Sequence, residues 1–474
     1  MKMFKRLVTN ALAVTTILIG SVASADVRLP RLISDHMMLQ RNQNVRIWGW
    51  ADAGEVVTVA IAKKQATVTT SDNGQWEVML PSLKTGGPYE MTVSGNNKVV
   101  VSDILVGEIW VCSGQSNMEW SVRSSFEPDK VASASTDAEL RMFTVTKAVS
   151  DTELADVTGS WEAASPATTP RFSAVGYHFA KYLRQYLGCP VGMIHTSWGG
   201  TRIEAWTSPA TNLAAGMKQS EFDPGRNGDA NKASVLYNAM LVPVAKYTVS
   251  GALWYQGESN AGNPAKYRTQ LPQMVADWRN AFQNQKLVFL PVQLAPFIAT
   301  GSKKTDYAEI REAQSMAAEK DKRVGVAVIT DVGEERDIHP RKKEPVGERL
   351  ALQAARIAYG KKNDGASPSL RKARYYDGYS IVSFNNVGAG LVIKGGMISE
   401  NALPSDKLMG FQIGGADGVW YDADAKIIDR DRVELSHASV AKPTKVRFAF
   451  INFPLANLFS IGGLPAEPFR TDRP

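Results

Sequence analysis

The sequence predicts an α/β protein in which helices cover both faces of a parallel sheet, with β-rich sections of short strands before and after it. Three observations carry this. Compact apolar runs that do not alternate recur between residues 106 and 365, as strands buried on both faces require. Between them, apolar residues recur at spacings of three and four, the period of helices packed against a sheet. Outside that span, short β-branched and aromatic runs are separated by Gly-, Asn- and Pro-rich turns. The expected organisation is a leader at 1–25, a sandwich-like β-rich domain at 26–105, an α/β domain at 106–365 and a β-rich section at 366–474.

The leader carries Lys2, Lys5 and Arg6, an apolar stretch from Ala11 to Val22, and Ala23-Ser24-Ala25, the small-x-small pattern cut by signal peptidase. That stretch is shorter than the roughly 20 residues needed to cross a bilayer. A cleaved signal peptide is therefore expected, with export to the periplasm or beyond and no membrane insertion afterwards. The leader holds three of the 54 basic residues and no acidic one, so 51 basic residues face 47 acidic ones, a mild +4. No run of Lys or Arg forms a nucleic-acid footprint, and Arg341-Lys342-Lys343 reads as a solvated loop. The two cysteines, Cys112 and Cys189, sit at core-like positions and are expected as buried free thiols.

In the first β-rich section, strands are expected at Val45–Trp50, Val56–Ile61, Ala66–Thr70 and Tyr89–Val93, punctuated by Asp72-Asn73-Gly74 and Gly86-Gly87-Pro88. Buried strands then follow at Ile109–Cys112, Pro190–His195, Ser250–Tyr255, Lys286–Val292 and Val324–Ile329. Helical spacing links Phe172, Val175, Phe179, Leu183 and Tyr186, and again Tyr267, Leu271, Met274, Trp278 and Phe282, where Pro272 is a potential kink. A last helix spans about 345–359 and stops at Gly360. Short strands return at Ser380–Phe384, Leu391–Ile393, Phe411–Ile413 and Lys445–Phe450.

Ligands of an open α/β sheet bind outside the carboxyl ends of its strands. Four loops there carry unusual residues. Gly114-Gln-Ser116-Asn-Met118 places a serine at a strand-to-helix turn, where a nucleophile and a backbone oxyanion donor arise together, although a serine there also serves as a helix cap. Ser197-Trp198-Gly199-Gly200 lets backbone approach a ligand. Trp254-Tyr-Gln256-Gly-Glu258-Ser-Asn260 is too polar for a core. Asp331 to Pro340 sets His339 among carboxylates, as an oriented general base requires. Of the five histidines, His36 and His437 lie in the β-rich sections. His178 falls in a helix and His195 in a buried strand, which leaves His339 as the base.

Together these segments resemble the SGNH (GDSL-type) hydrolases and, more closely, the sialate O-acetylesterase family. The resemblance rests on Gly107-Glu-Ile-Trp-Val-Cys-Ser-Gly-Gln-Ser-Asn-Met118, Trp198-Gly-Gly-Thr-Arg-Ile-Glu-Ala-Trp206, Trp254 to Asn260 and Asp337-Ile-His-Pro340. It extends to Met37-Met-Leu-Gln-Arg41 and to Gly463–Asp472. It implies a flavodoxin-like sheet, Ser116 as nucleophile, His339 as base, and an oxyanion hole from the N–H groups of Ser116 and Gly200 with a side-chain amide. The chain departs from the wider superfamily in its third block, so that amide is Gln256 or Asn260. It departs also in the last block, where Arg336 stands three residues before the histidine. Asp337 is the expected acid, with Glu334, Glu335, Asp331 or a carbonyl as alternatives. Gln115, Arg202, Glu258 and Trp198 are expected at the substrate, Arg202 as partner of a sialate carboxylate. No metal or cofactor is implied, and no oligomeric state. Acetyl xylan or another polysaccharide is the alternative substrate, and a non-catalytic carbohydrate-binding protein the alternative of another class. A lipase-like reading lacks an extended apolar lid.

Overall fold

A computed structural model describes residues 26–222, 228–298, 301, 303–363 and 365–473, so the expected signal peptide lies outside the described residues. The centre of the fold is one long strand, β1 (Lys98–Gly114). Its second half is flanked on both sides by parallel neighbours. β2 (Asp137–Thr144) pairs with β3 (Val191–Ser197), β3 with β1, β1 with β4 (Gly251–Tyr255), and β4 with β5 (Val288–Pro291). Beyond β5, the run expected as a strand at Val324–Ile329 makes only two isolated parallel bridges, Phe289 to Val324 and Val292 to Ala327. Counting that segment and setting edge strand β2 aside, the order is the flavodoxin-like 2-1-3-4-5.

Why the runs do not alternate is visible at β1. Side chains on a strand point to opposite faces in turn. Ile109 and Val111 enter one core with Tyr267, Met274, Trp278 and Ile310. Trp110 and Cys112 enter the other with Val175, Phe179, Val346 and Leu350. Helices cover both faces: α2 (Ala174–Leu187) and α5 (Glu344–Ile357) on one, α3 (Pro264–Ala281) and α4 (Asp306–Lys320) on the other. Ser173 caps α2 by accepting from the Gly176 N–H, and the left-handed Gly188 ends it. Pro272 sits inside α3 without dividing it. Both cysteines are buried and free.

The first half of β1 belongs to the preceding section, where Gly86–Ser94 pairs with it antiparallel, followed outward by Val56–Ile61 and Lys64–Thr69. One strand thus runs through the expected boundary at 105/106, and one apolar core joins Val57, Val93 and Ile104 to Trp254 and Trp278. The C-terminal section has its own core around Phe411, Val433, Phe448 and Phe469. It docks through α4. The buried Arg311 guanidinium donates to the carbonyls of Ile451 and Asn452, and Arg470 pairs with Glu312. No helix among the described residues is long and apolar enough to cross a membrane.

Candidate active site

Register brings three of the four sequence blocks to one height. Gly114 at the end of β1 pairs with Ser197 on one side and Tyr255 on the other, so the loops after β1, β3 and β4 leave the sheet together. Gly114 has φ +134°, and a Cβ there would lie 2.1 Å from the Tyr255 carbonyl oxygen, so only glycine lets the chain turn here. The turn delivers Ser116 as the first residue of a short helix, α1 (Ser116–Glu119). The leading N–H groups of a helix have no intrahelical acceptor, which leaves the Ser116 N–H beside its own hydroxyl.

The fourth loop carries His339 back over this turn. Its Nε2 lies 2.8 Å from Ser116 Oγ, within reach for proton transfer. The indole of Trp120 stacks on the imidazole at 4.7 Å between centroids and 14° between planes. Burial and the nearby Lys343 cation hold the His339 pKa below its ordinary value, against the opposing charge of Asp337. The imidazole is therefore neutral, and able to accept a proton, over a wider pH range.

The acid side is built differently from expectation. Asp337 Oδ1 accepts the backbone N–H of His339 at 2.8 Å but lies 3.7 Å from the ring Nδ1, too far for a hydrogen bond. Its side chain is 53% exposed. The other carboxylates are engaged elsewhere. Asp331 forms a two-pronged pair with Arg349, Glu334 accepts the Arg341 N–H, and Glu335 accepts the Asn401 amide. The carboxylate count around His339 was legible in sequence, whereas their directions depend on partners far along the chain.

On the second block, Gly199 packs against Ser116 and its N–H is taken by Glu119 Oε2 at 2.6 Å. The Gly200 N–H finds no acceptor among the described residues, its φ is +75°, and the space where a Cβ would stand is open. Neither expected side-chain donor of the third block faces this space. Gln256 is fully buried and gives both amide hydrogens inward, to the Thr201 carbonyl at 3.2 Å and Asn260 Oδ1 at 2.6 Å. Asn260 donates to Glu204 at 3.0 Å and accepts the Ile203 N–H, fastening the third block to the second. In this structure both amides are latches between loops, a correction to their expected place in the oxyanion hole. Hydrogen-bond competition within the loops decides this, and no spacing rule reveals it.

Gln115 and Glu258, expected at the substrate, turn inward as well. Gln115 Oε1 accepts from the N–H groups of Gly257 and Ser259, and Glu258 Oε1 accepts from Asn117 at 2.7 Å. Burial raises the Glu258 pKa. Trp198 is half-buried with the Lys147 ammonium 5.3 Å from its ring centre. Arg202 is exposed, and its guanidinium has no partner among the described residues. It lines a pocket of about 290 Å³ with Glu204, Ser259, Asn260 and Lys266. Three neighbours of the dyad went unread in the sequence: Trp120, Glu119 and Lys343. The first two are short-range consequences of the Ser116 turn. Lys343 had been placed in a solvated basic loop, yet it is 1% exposed.

With this geometry in view, similarity to known proteins becomes informative. The family described as carbohydrate esterase, sialic acid-specific acetylesterase matches residues 106–356. Sialate O-acetylesterase from Rattus norvegicus is 34% identical over 403 residues, 71% of this chain and 74% of the relative. The Homo sapiens protein of the same name is 33% identical over 376 residues, 71% of this chain and 72% of the relative. The crystal structure of a carbohydrate acetylesterase from Xanthomonas citri superposes with a TM-score of 0.86 at 38% identity, covering 94% of this chain and all of the other. This chain belongs to the sialic acid-specific acetylesterase family and is a carbohydrate esterase.

Proposed function

We propose that this esterase removes O-acetyl groups from sialic acid through an acetyl-enzyme on Ser116. The observation that carries the mechanism is the 2.8 Å contact between Ser116 Oγ and His339 Nε2 at the start of a helix. Ser116 attacks the acetyl carbonyl carbon while His339 takes the hydroxyl proton. The Ser116 and Gly200 N–H groups face the oxygen that becomes negative. Collapse of the adduct breaks the ester bond, and His339 returns the proton to the departing sugar oxygen. Water then attacks the acetyl-serine, His339 again removing and returning the proton, and acetate leaves. Asp337 acts on the imidazolium through space and through the His339 backbone rather than by a ring hydrogen bond.

Sialic acid carries a carboxylate, and the Arg202 guanidinium beside the pocket, without a partner among the described residues, supports its recognition. A second reading, an acetylated neutral polysaccharide such as xylan, uses the same Ser116 and His339 chemistry and has no carboxylate for Arg202 to meet. The catalytic unit is proposed to span 106–365 between the two β-rich sections, in a protein exported by residues 1–25. Acetate release from O-acetylated sialic acids and from acetylated xylan, with Ser116→Ala as blank, separates the substrates. Hydrolysis of the sialic acid, with a KM that rises about tenfold in Arg202→Ala, is expected. Release from xylan alone overturns the sialate assignment.

A further inference from the structure

His339 must hold one orientation to serve Ser116, yet among the described residues no carboxylate lies within hydrogen-bond distance of its Nδ1. Beneath it is a buried cation that the reaction does not call for. Lys343 sits at the start of α5, four residues after the histidine. Its ammonium donates to Asn117 Oδ1 at 2.5 Å, and among the described residues no carboxylate forms an ion pair with it, Glu258, Glu334 and Asp337 acting from a distance. The remaining contacts are aromatic, with Nζ 5.4 Å from the Tyr255 ring centre and 5.9 Å from that of Trp120, the indole that stacks on His339. A lysine buried without a carboxylate in direct contact carries a heavy desolvation cost.

A primary amide has an accepting end and a donating end. Were Asn117 reversed, its NH2 group would meet the ammonium. The Lys343 contact therefore dictates which way the amide points. The donating end then reaches Glu258 Oε1 at 2.7 Å and the carbonyl oxygen of Ile338 at 2.9 Å, one residue before His339. Asn117 itself follows Ser116. A single amide thus ties the nucleophile turn to the backbone that carries the base.

We infer that Lys343 is a positioning residue for the base: by fixing the orientation of the Asn117 amide and supporting Trp120, it holds the Ile338–His339 backbone and the imidazole over Ser116. The same cation has an electrostatic consequence. Burial pushes Lys343 down to about 7, against the carboxylates of Glu258, Glu334 and Asp337 that face it. Below that pH it is charged and opposes protonation of His339, which Asp337 favours.

The inference rests on His339 being the base, so His339→Ala is assayed alongside. In Lys343→Met, kcat is expected to fall on the order of 100-fold with KM changed less than about threefold. The acid limb of kcat/KM is expected to move to higher pH, because removing a neighbouring cation makes the imidazole easier to protonate. A residue that merely fills the core lowers the melting temperature and moves no limb. If Lys343→Met does not fold, Asn117→Asp keeps a partner for Lys343 but removes the donor to Ile338, and a similar fall in kcat is expected. Unchanged kcat and acid limb in folded Lys343→Met, or wild-type kcat in Asn117→Asp, overturns the inference alone. Full activity in His339→Ala overturns it together with the assignment of the base.

Discussion

Two histidine–serine pairs stand at the strand ends of this protein, and only one has the surroundings of a catalytic dyad. His339 Nε2 lies 2.8 Å from Ser116 Oγ, and His195 Nε2 lies 2.5 Å from Ser197 Oγ. By distance alone the second pair is the better one. His195 and Ser197 are two residues apart on β3, so they share a face of one strand and meet as a matter of local geometry. Both are buried, the ring Nδ1 has no partner among the described residues, and burial lowers the His195 pKa to about 4. Ser197 stands inside β3 opposite Gly114, not at the first turn of a helix where successive N–H groups converge. Ser116 instead opens a helix, faces the Gly199-Gly200 turn and remains within reach of solvent. The hydrogen bond between histidine and serine is the cheap part of such a site. Access and preorganised donors distinguish the pair that can react.

The comparison breaks most sharply at the two serines. Ser116→Ala is expected to lower kcat/KM for acetate release by more than about 10⁴-fold, whereas Ser197→Ala changes it less than about threefold. Comparable losses in two folded variants would erase the distinction. The histidines should follow with a smaller gap. His339→Ala is expected to cost about 10³-fold or more in kcat, while His195→Gln acts mainly on thermal stability, read as a lower melting temperature with nearly native kcat. Asp337→Ala sharpens the picture at the small end. Because that carboxylate is half-exposed and 3.7 Å from Nδ1, a loss on the order of tenfold is expected, about 1.4 kcal/mol. Its removal leaves Lys343 less opposed, so the acid limb of the pH profile should move to lower pH, the reverse of Lys343→Met. A loss equal to that of His339→Ala would mean that Asp337 reaches the ring during turnover.

How much of this was legible beforehand varies with the range of the forces involved. The strands at Val45–Trp50 and Val56–Ile61 and the α2 helix follow from period-2 and period-3.6 patterns that each segment carries within itself. The α4 helix was unread. Its buried face mixes Tyr307 and Ile310 with Arg311, Glu312, Gln314 and Ser315, so no apolar stripe marks it. Two of those polar residues find partners in the C-terminal section, Arg311 at the carbonyls of Ile451 and Asn452 and Glu312 at Arg470, while Gln314 donates to the Gln256 carbonyl and Ser315 accepts from Gln293. The boundary at 105/106 followed a change in rhythm, yet β1 crosses it, because a strand can pair antiparallel along one half and parallel along the other.

By itself the sequence determined the central parallel strands, the helices α2, α3 and α5, the family, and the serine and histidine on which the proposed chemistry turns. These rest on local periodicity and on contiguous motifs, in which residue type and spacing carry the information. Only the tertiary structure decided where the polar side chains of those motifs point. Gln256 and Asn260 latch loops together, Asp337 holds a backbone rather than a ring, and Lys343 is buried under the site instead of solvated. The reason is that a buried donor or acceptor must find a partner wherever the fold supplies one. For Asn117, that partner stands 226 residues along the chain.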